Sequence, residues 1–143
     1  MSNERIQNII QFVKYAIVGV MNTVVTFVVI FIMKSVLGVN PLVSNAIGYV
    51  AGLINSFIWN KRWVFHSKKG VGKEAVKFLI GFGVCYGIQL FVVWALTYRT
   101  PLGEMTWNLA GIMTVSGYAV ATIAGNVVYT LSNYVYNRLI TFR

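Results

Sequence analysis

The chain has 143 residues, 57% of them hydrophobic and 10% charged, with a formal net charge of +9. A soluble domain carries about 25% charged residues, so this composition suits lipid rather than water as solvent. Three glutamates, no aspartate, one histidine (His66) and one cysteine (Cys85) exclude a Ser-His-Asp triad, a thiolate zinc cluster and an intrachain disulfide.

Nineteen uncharged residues lie between Lys14 and Lys34, 26 between Lys34 and Lys61, 21 between Lys77 and Arg99, and 33 between Glu104 and Arg138. A helix crosses ~30 Å of hydrocarbon with about 20 apolar residues at ~1.5 Å each. The spacing predicts four transmembrane helices, at about 14–34, 42–60, 76–98 and 111–136, within one domain over 1–143 that has a loop at 61–75. The runs are about twice the length of a membrane strand and lack a sustained period of two. The first span is too long for a signal-peptide core and no small-residue cleavage site follows it, so it is expected to stay as an anchor. Asn40-Pro41 opens the second helix, since proline suits a first turn. Thr100-Pro101-Leu102-Gly103 closes the third.

Charge predicts orientation. Arg5 and Lys14 precede the first span; Lys61, Arg62, Lys68, Lys69, Lys73 and Lys77 lie between the second and third; Arg138 and Arg143 follow the fourth. Only Lys34 and Arg99 fall on the other side. The positive-inside rule puts both termini and the central loop in the cytoplasm. Basic residues clustered in this way speak for anionic lipid as partner and against nucleic acid.

The chain also repeats itself at an offset of 77 residues: Gly48 matches Gly125, Asn60 matches Asn137, Lys61 matches Arg138 and Phe65 matches Phe142. The fronts of the halves match more loosely, Val13-Lys14-Tyr15 with Val76-Lys77-Phe78. The expected fold is an all-α membrane protein whose four helices form two tandem two-helix repeats, related by an axis along the membrane normal. Gly48 and Gly52, Gly83 and Gly87, and Gly117, Ala121 and Gly125 have the spacing of close helix contacts.

Polar residues inside the spans mark the candidate site, because each costs energy in lipid unless it is paired. Asn126, Thr130, Asn133 and Asn137 recur at helical spacing on one face. Asn22 and Thr26 lie in the first span, Asn45, Asn55, Ser56 and Asn60 in the second, and Gln89 in the third. Interhelical hydrogen bonding explains any one of them; the aligned series predicts a polar groove open to the cytoplasm. Glu4, Glu74 and Glu104 all fall outside the predicted spans, leaving no intramembrane carboxylate for a proton. Gly70-Val71-Gly72-Lys73 lacks the spacing of a phosphate loop and reads as a flexible turn. No cofactor or metal is expected, and no enzyme activity.

The run from Asn55 to Phe65, with Asn60-Lys61-Arg62-Trp63-Val64-Phe65 at its end, resembles the GtrA-like family of small four-helix bacterial membrane proteins. Phe12-Val13-Lys14-Tyr15 through Val18-Gly19 to Asn22-Thr23 is similar to the opening of that family, and Asn133 to Phe142 to a degenerate second copy of its signature. One departure is that Asn133 and Asn137 stand four apart, whereas Asn55 and Asn60 stand five apart. The resemblance implies translocation of a polyprenyl-phosphate-linked sugar, typically undecaprenyl-phosphate glucose, across the bacterial cytoplasmic membrane for cell-surface polysaccharide synthesis. For some relatives it implies instead a non-transporting scaffold that recruits a membrane glycosyltransferase.

The residues agree with such a substrate. Asn22, Asn55, Asn60, Gln89, Asn126, Asn133 and Asn137 would bond the sugar, Lys61, Arg62 and Arg138 the phosphate, and Trp63 would stack on the sugar or anchor the interface. Four helices enclose little volume, so a homodimer is expected. The remaining alternative, a small multidrug-type exporter, requires a membrane carboxylate.

Overall fold

The computed structural model describes residues 3–143. Four long helices follow in chain order: α1 (Asn3–Phe31), α2 (Pro41–Trp59), α3 (Val71–Tyr98) and α4 (Gly117–Tyr136). α1, α2 and α4 each run into a five-residue π-helical turn, at Ile32–Val36, Asn60–Val64 and Asn137–Thr141. α1 and α2, each with its turn, and α3 are long and apolar enough to cross a membrane. α4, with 20 residues, has the ~30 Å needed for the fourth crossing. The protein is a multi-pass, mostly helical membrane protein.

The chain divides into two compact units, one running to Gly70 and including Phe142, the other covering Val71–Thr141 with Arg143. Each contains a pair of packed helices and a closing π-helical turn, so the repeat read from residues 60 and 137 is present in the order of elements. In the first unit α2 starts where Asn40 caps it, its Oδ1 accepting from the Leu42 N–H at 2.9 Å with Pro41 in the first turn. Gly48 and Gly52 then bring α2 against α1. A Cβ on Gly48 would collide with Ile30 and lie 2.9 Å from the Thr26 carbonyl oxygen, and one on Gly52 would collide with Thr26 Oγ1. In the second unit Gly125 does the same, 2.6 Å from Val93 and 3.3 Å from Gln89. Gly83 and Gly87 do not: no atom lies within 4 Å of where their Cβ would be. The spacing that marks three contact ridges is thus used in α2 and α4 but turned outward in α3.

Three other expectations need correction. α1 and α3 begin well before the predicted 14 and 76, because counting between charges finds where hydrocarbon starts, not where a helix starts. The predicted loop 61–75 shrinks for the same reason, being helical as far as Val64 and again from Val71. The fourth helix begins at Gly117 rather than about 111, capped by Ser116, whose Oγ accepts from the Ala119 N–H at 3.2 Å. Residues ahead of it form a short antiparallel hairpin, β1 (Thr106–Leu109) with β2 (Met113–Ser116). Ala110 and Gly111, both with positive φ, make its turn.

Candidate functional site

The turns that end the two units are the most regular feature of the repeat. In the first, the Phe65 N–H reaches back to the Asn60 carbonyl at 2.9 Å, the five-residue step of a π-helix. Such single turns cluster at functional positions, since they displace backbone groups from the ordinary helical ladder. Asn60 and Asn137 open them, and both side chains are buried, at 2% and 0% exposure. Asn60 Nδ2 donates to Ser56 Oγ at 3.1 Å; Asn137 Nδ2 donates to Asn133 Oδ1 at 3.3 Å. Asn133 Nδ2 in turn donates to the Tyr129 hydroxyl at 3.3 Å. Neither Asn60 Oδ1 nor Asn137 Oδ1 has a hydrogen-bond partner among the described residues, and the same holds for Thr141 Oγ1. A buried acceptor left without a donor costs about 1–3 kcal/mol. Two such carbonyls stand at repeat-related positions, 60 and 137.

Cations accompany both amides. Lys61 Nζ donates to the Lys69 carbonyl at 2.7 Å, which folds it over the following loop. Arg138 is half-buried, with Nη1 3.5 Å from the Tyr134 hydroxyl. Arg62 is exposed. The lysine of the leading helix meets the same position of the π-helical turn in each unit. Lys14 lies over the Trp63 ring, 5.5 Å from its centroid, and Lys77 Nζ donates to the Ile140 carbonyl at 3.2 Å. Trp63 also packs edge-on against Trp59 at 6.3 Å. It is thus engaged as a cation–π and aromatic partner inside its own unit.

Further along the helices, two amide pairs bridge within the units. Asn55 Nδ2 donates to Asn22 Oδ1 at 2.8 Å, and Gln89 Nε2 donates to Asn126 Oδ1 at 2.6 Å. The first pair is half-buried, whereas Asn126 is exposed. The candidate residues therefore fall into three hydrogen-bonded sets within the units: Asn22 with Asn55, Gln89 with Asn126, and Asn133 with Asn137. No hydrogen bond links Asn55 to Asn60. The position equivalent to Asn133 is held by Ser56, which explains the differing asparagine spacing. Asn55 belongs to the bridge to α1 instead.

Sequence reasoning passed over Tyr129 and Thr141 as site residues, although Tyr129, Asn133 and Asn137 recur at four-residue steps. It also put Glu74 outside the spans. Glu74 lies in the first turn of α3 and is buried at 3% exposure. Among the described residues no group of three or more His, Cys, Asp or Glu side chains is placed to hold a metal.

The family profile of the GtrA/DPMS transmembrane domain matches residues 14–142, from Lys14 to the phenylalanine that ends the second copy of the signature. The chain belongs to that family. Two relatives extend the match. The membrane protein YngA of Bacillus subtilis is 32% identical over 130 residues, covering 90% of this chain and 77% of the relative. The cell wall teichoic acid glycosylation protein GtcA of Listeria innocua is 27% identical over 140 residues, covering 95% and 87%. The GtrA/DPMS match takes in the π-helical turns that close the two units and every candidate residue.

Proposed function

We propose that this GtrA/DPMS protein moves a polyprenyl-phosphate-linked sugar, such as undecaprenyl-phosphate glucose, between the leaflets of the bacterial cytoplasmic membrane, supplying a cell-wall glycosylation reaction without being an enzyme itself. The observation that carries this reading is the pair of buried, unpartnered amide carbonyls of Asn60 and Asn137, each followed in sequence by a cation, Lys61 or Arg138. A sugar is rich in hydroxyl donors and a phosphodiester is an acceptor. One turn of the repeat thus offers the complement of both. The polyprenyl tail stays in lipid while the headgroup, which would cost several kcal/mol per unpaired polar group in hydrocarbon, exchanges water for amides. The glycosylation named for the Listeria relative fits a sugar cargo. We read the working form as a homodimer, since one hairpin pair per unit gives a headgroup little enclosure.

The basic side is taken as cytoplasmic. Cysteines placed at Ser67, Ser35 and Asn108 are expected to react with an impermeant reagent from outside intact cells only at the last two. Labelling at Ser67 alone reverses the orientation.

Movement is expected to run down the gradient of the lipid-linked sugar. Glu74 is the acid to test, because it is buried where Glu4 and Glu104 are exposed. It stands at the start of α3, one turn before Lys77, where the helix dipole favours a carboxylate, rather than mid-span. In proteoliposomes, Glu74→Gln and a proton ionophore are each expected to leave the transport rate within about two-fold, an effect under 1 kcal/mol. Strict dependence on a pH gradient, abolished by Glu74→Gln, would instead make the protein a proton-coupled transporter.

A further inference from the structure

The hairpin between α3 and α4 has a face that the described chain leaves mostly exposed, with only Val115 half-buried. Its register pairs Thr106 with Ser116, Trp107 with Val115, Asn108 with Thr114 and Leu109 with Met113. Because successive strand residues point to opposite faces, one face carries Trp107, Leu109, Met113 and Val115 and the other carries Thr106, Asn108, Thr114 and Ser116. The polar face is self-satisfied in part, Thr114 Oγ1 donating to Asn108 Oδ1 at 3.1 Å. On the apolar face Trp107 is 40%, Leu109 52% and Met113 59% exposed, and Ile112 at the tip is 88% exposed. A lone two-stranded hairpin is marginal in water unless its apolar face is covered.

We propose that this hairpin lies flat in the membrane interface, at the end of the second unit opposite Lys77 and Arg138, with its apolar face against lipid and its polar face toward water. Three observations choose lipid as the occupant. The hairpin is continuous with the spanning helices and fixed to their ends: the Gly117 N–H donates to the Met105 carbonyl at 2.7 Å, and a Cβ on Gly117 would collide with the Leu102 carbonyl oxygen. Gly103 sits equally tightly on the Thr97 carbonyl. The apolar face is thereby held at the level where α3 and α4 leave hydrocarbon. No charged residue occurs from Met105 to Asn137, so no ion is dragged into the interface. Trp107 heads the apolar face, and tryptophan is the side chain favoured at that depth. An amphipathic segment with one apolar and one polar face, low in charge and attached at a span end, is an interfacial anchor built from strands instead of a helix. It would resist tilting of α3 against α4.

The test is site-directed spin labelling at Asn108, Leu109, Met113 and Thr114, one at a time in a Cys85→Ala background. The purified protein is reconstituted without other proteins into phosphatidylcholine–phosphatidylglycerol vesicles. Labels at 109 and 113 are expected to collide with oxygen several-fold more than with a water-soluble nickel chelate, and labels at 108 and 114 the reverse. Nickel access at all four positions would place the hairpin in water. Shielding of 109 and 113 from both reagents would mean that protein covers the face. Oxygen preference at all four would mean that the hairpin is sunk in the bilayer. Each of these overturns the proposal. Trp107 fluorescence, read with Cys85 intact and with Trp59, Trp63 and Trp94 replaced by Phe, gives the same answer independently. Brominated lipids are expected to quench it and aqueous iodide is not; the opposite result contradicts the interfacial placement.

Discussion

Gly48→Leu and Gly125→Leu are each expected to break the helix pair of their own unit. The Cβ alone would collide with Ile30 in the first unit and approach Val93 to 2.6 Å in the second. Near Gly48 the obstacle also includes the Thr26 carbonyl, 2.9 Å away, and backbone cannot rotate aside. Overpacking a tight contact costs about 1–3 kcal/mol. Here the forced separation also strains the neighbouring amide bridge, Asn22–Asn55 or Gln89–Asn126, worth about 0.6 kcal/mol in comparable membrane proteins. Van der Waals packing is the main force that pairs helices in lipid, so losing close approach removes most of what holds each hairpin. Gly83→Leu and Gly87→Leu meet open space and serve as controls. Thermal unfolding in detergent is expected to fall by many degrees for the first two variants and to stay unchanged for the controls. Equal loss across all four would mean that α3 uses its outward glycines for a contact of its own.

Arg138→Gln is expected to weaken binding of the lipid-linked sugar about ten- to a hundred-fold. A charge-assisted hydrogen bond contributes about 1.5–3 kcal/mol, and each ~1.4 kcal/mol is a decade in affinity. Arg138 is half-buried against the Tyr134 hydroxyl and adjoins Asn137, so its charge is screened less than one in open water. Arg62 is exposed, and Arg62→Gln is expected to cost only a few-fold. Lys68 and Lys69 in the central loop and Lys73 in the first turn of α3 keep this side basic in both variants, so orientation is retained. Unchanged binding by Arg138→Gln, in protein that inserts and folds normally, would reduce the repeated cations to anchors.

The number of helices, their approximate placement and the tandem repeat were legible in the sequence, because lipid imposes a length on each span and excludes charge from it. The start of α2 at Asn40-Pro41 was legible too, but the starts of α1, α3 and α4 were not. Residues 3–13 and 71–75 are polar enough to leave the hydrocarbon yet remain helical, and charge counting has no signal for that. The hairpin was missed for a related reason. Thr106 to Leu109 and Met113 to Ser116 alternate polar and apolar residues, a period of two, but the 33 uncharged residues after Glu104 were read at the length scale of a helix. Within the candidate site, Asn60 and Asn137 stood out through the repeat. The chemistry that distinguishes them, one amide arm bonded four residues back and the other buried without a donor, depends on burial and on the π-helical turn. Neither can be read from residue types. Asn55 shows the converse: its type and position fit the site, and packing assigns it to Asn22.

In the function we propose, this chain by itself carries the lipid-linked sugar across a bilayer. The most direct measurement uses liposomes containing only the purified protein and a radiolabelled, short-chain polyprenyl-phosphate glucose confined at first to one leaflet. The fraction reaching the other leaflet is followed with an impermeant reagent that modifies the sugar. Rapid appearance in the second leaflet is expected, slowed by Arg138→Gln and absent from protein-free liposomes. Transfer no faster than in protein-free liposomes, by folded protein that still binds a membrane glycosyltransferase, would contradict the account and make the protein that enzyme's scaffold.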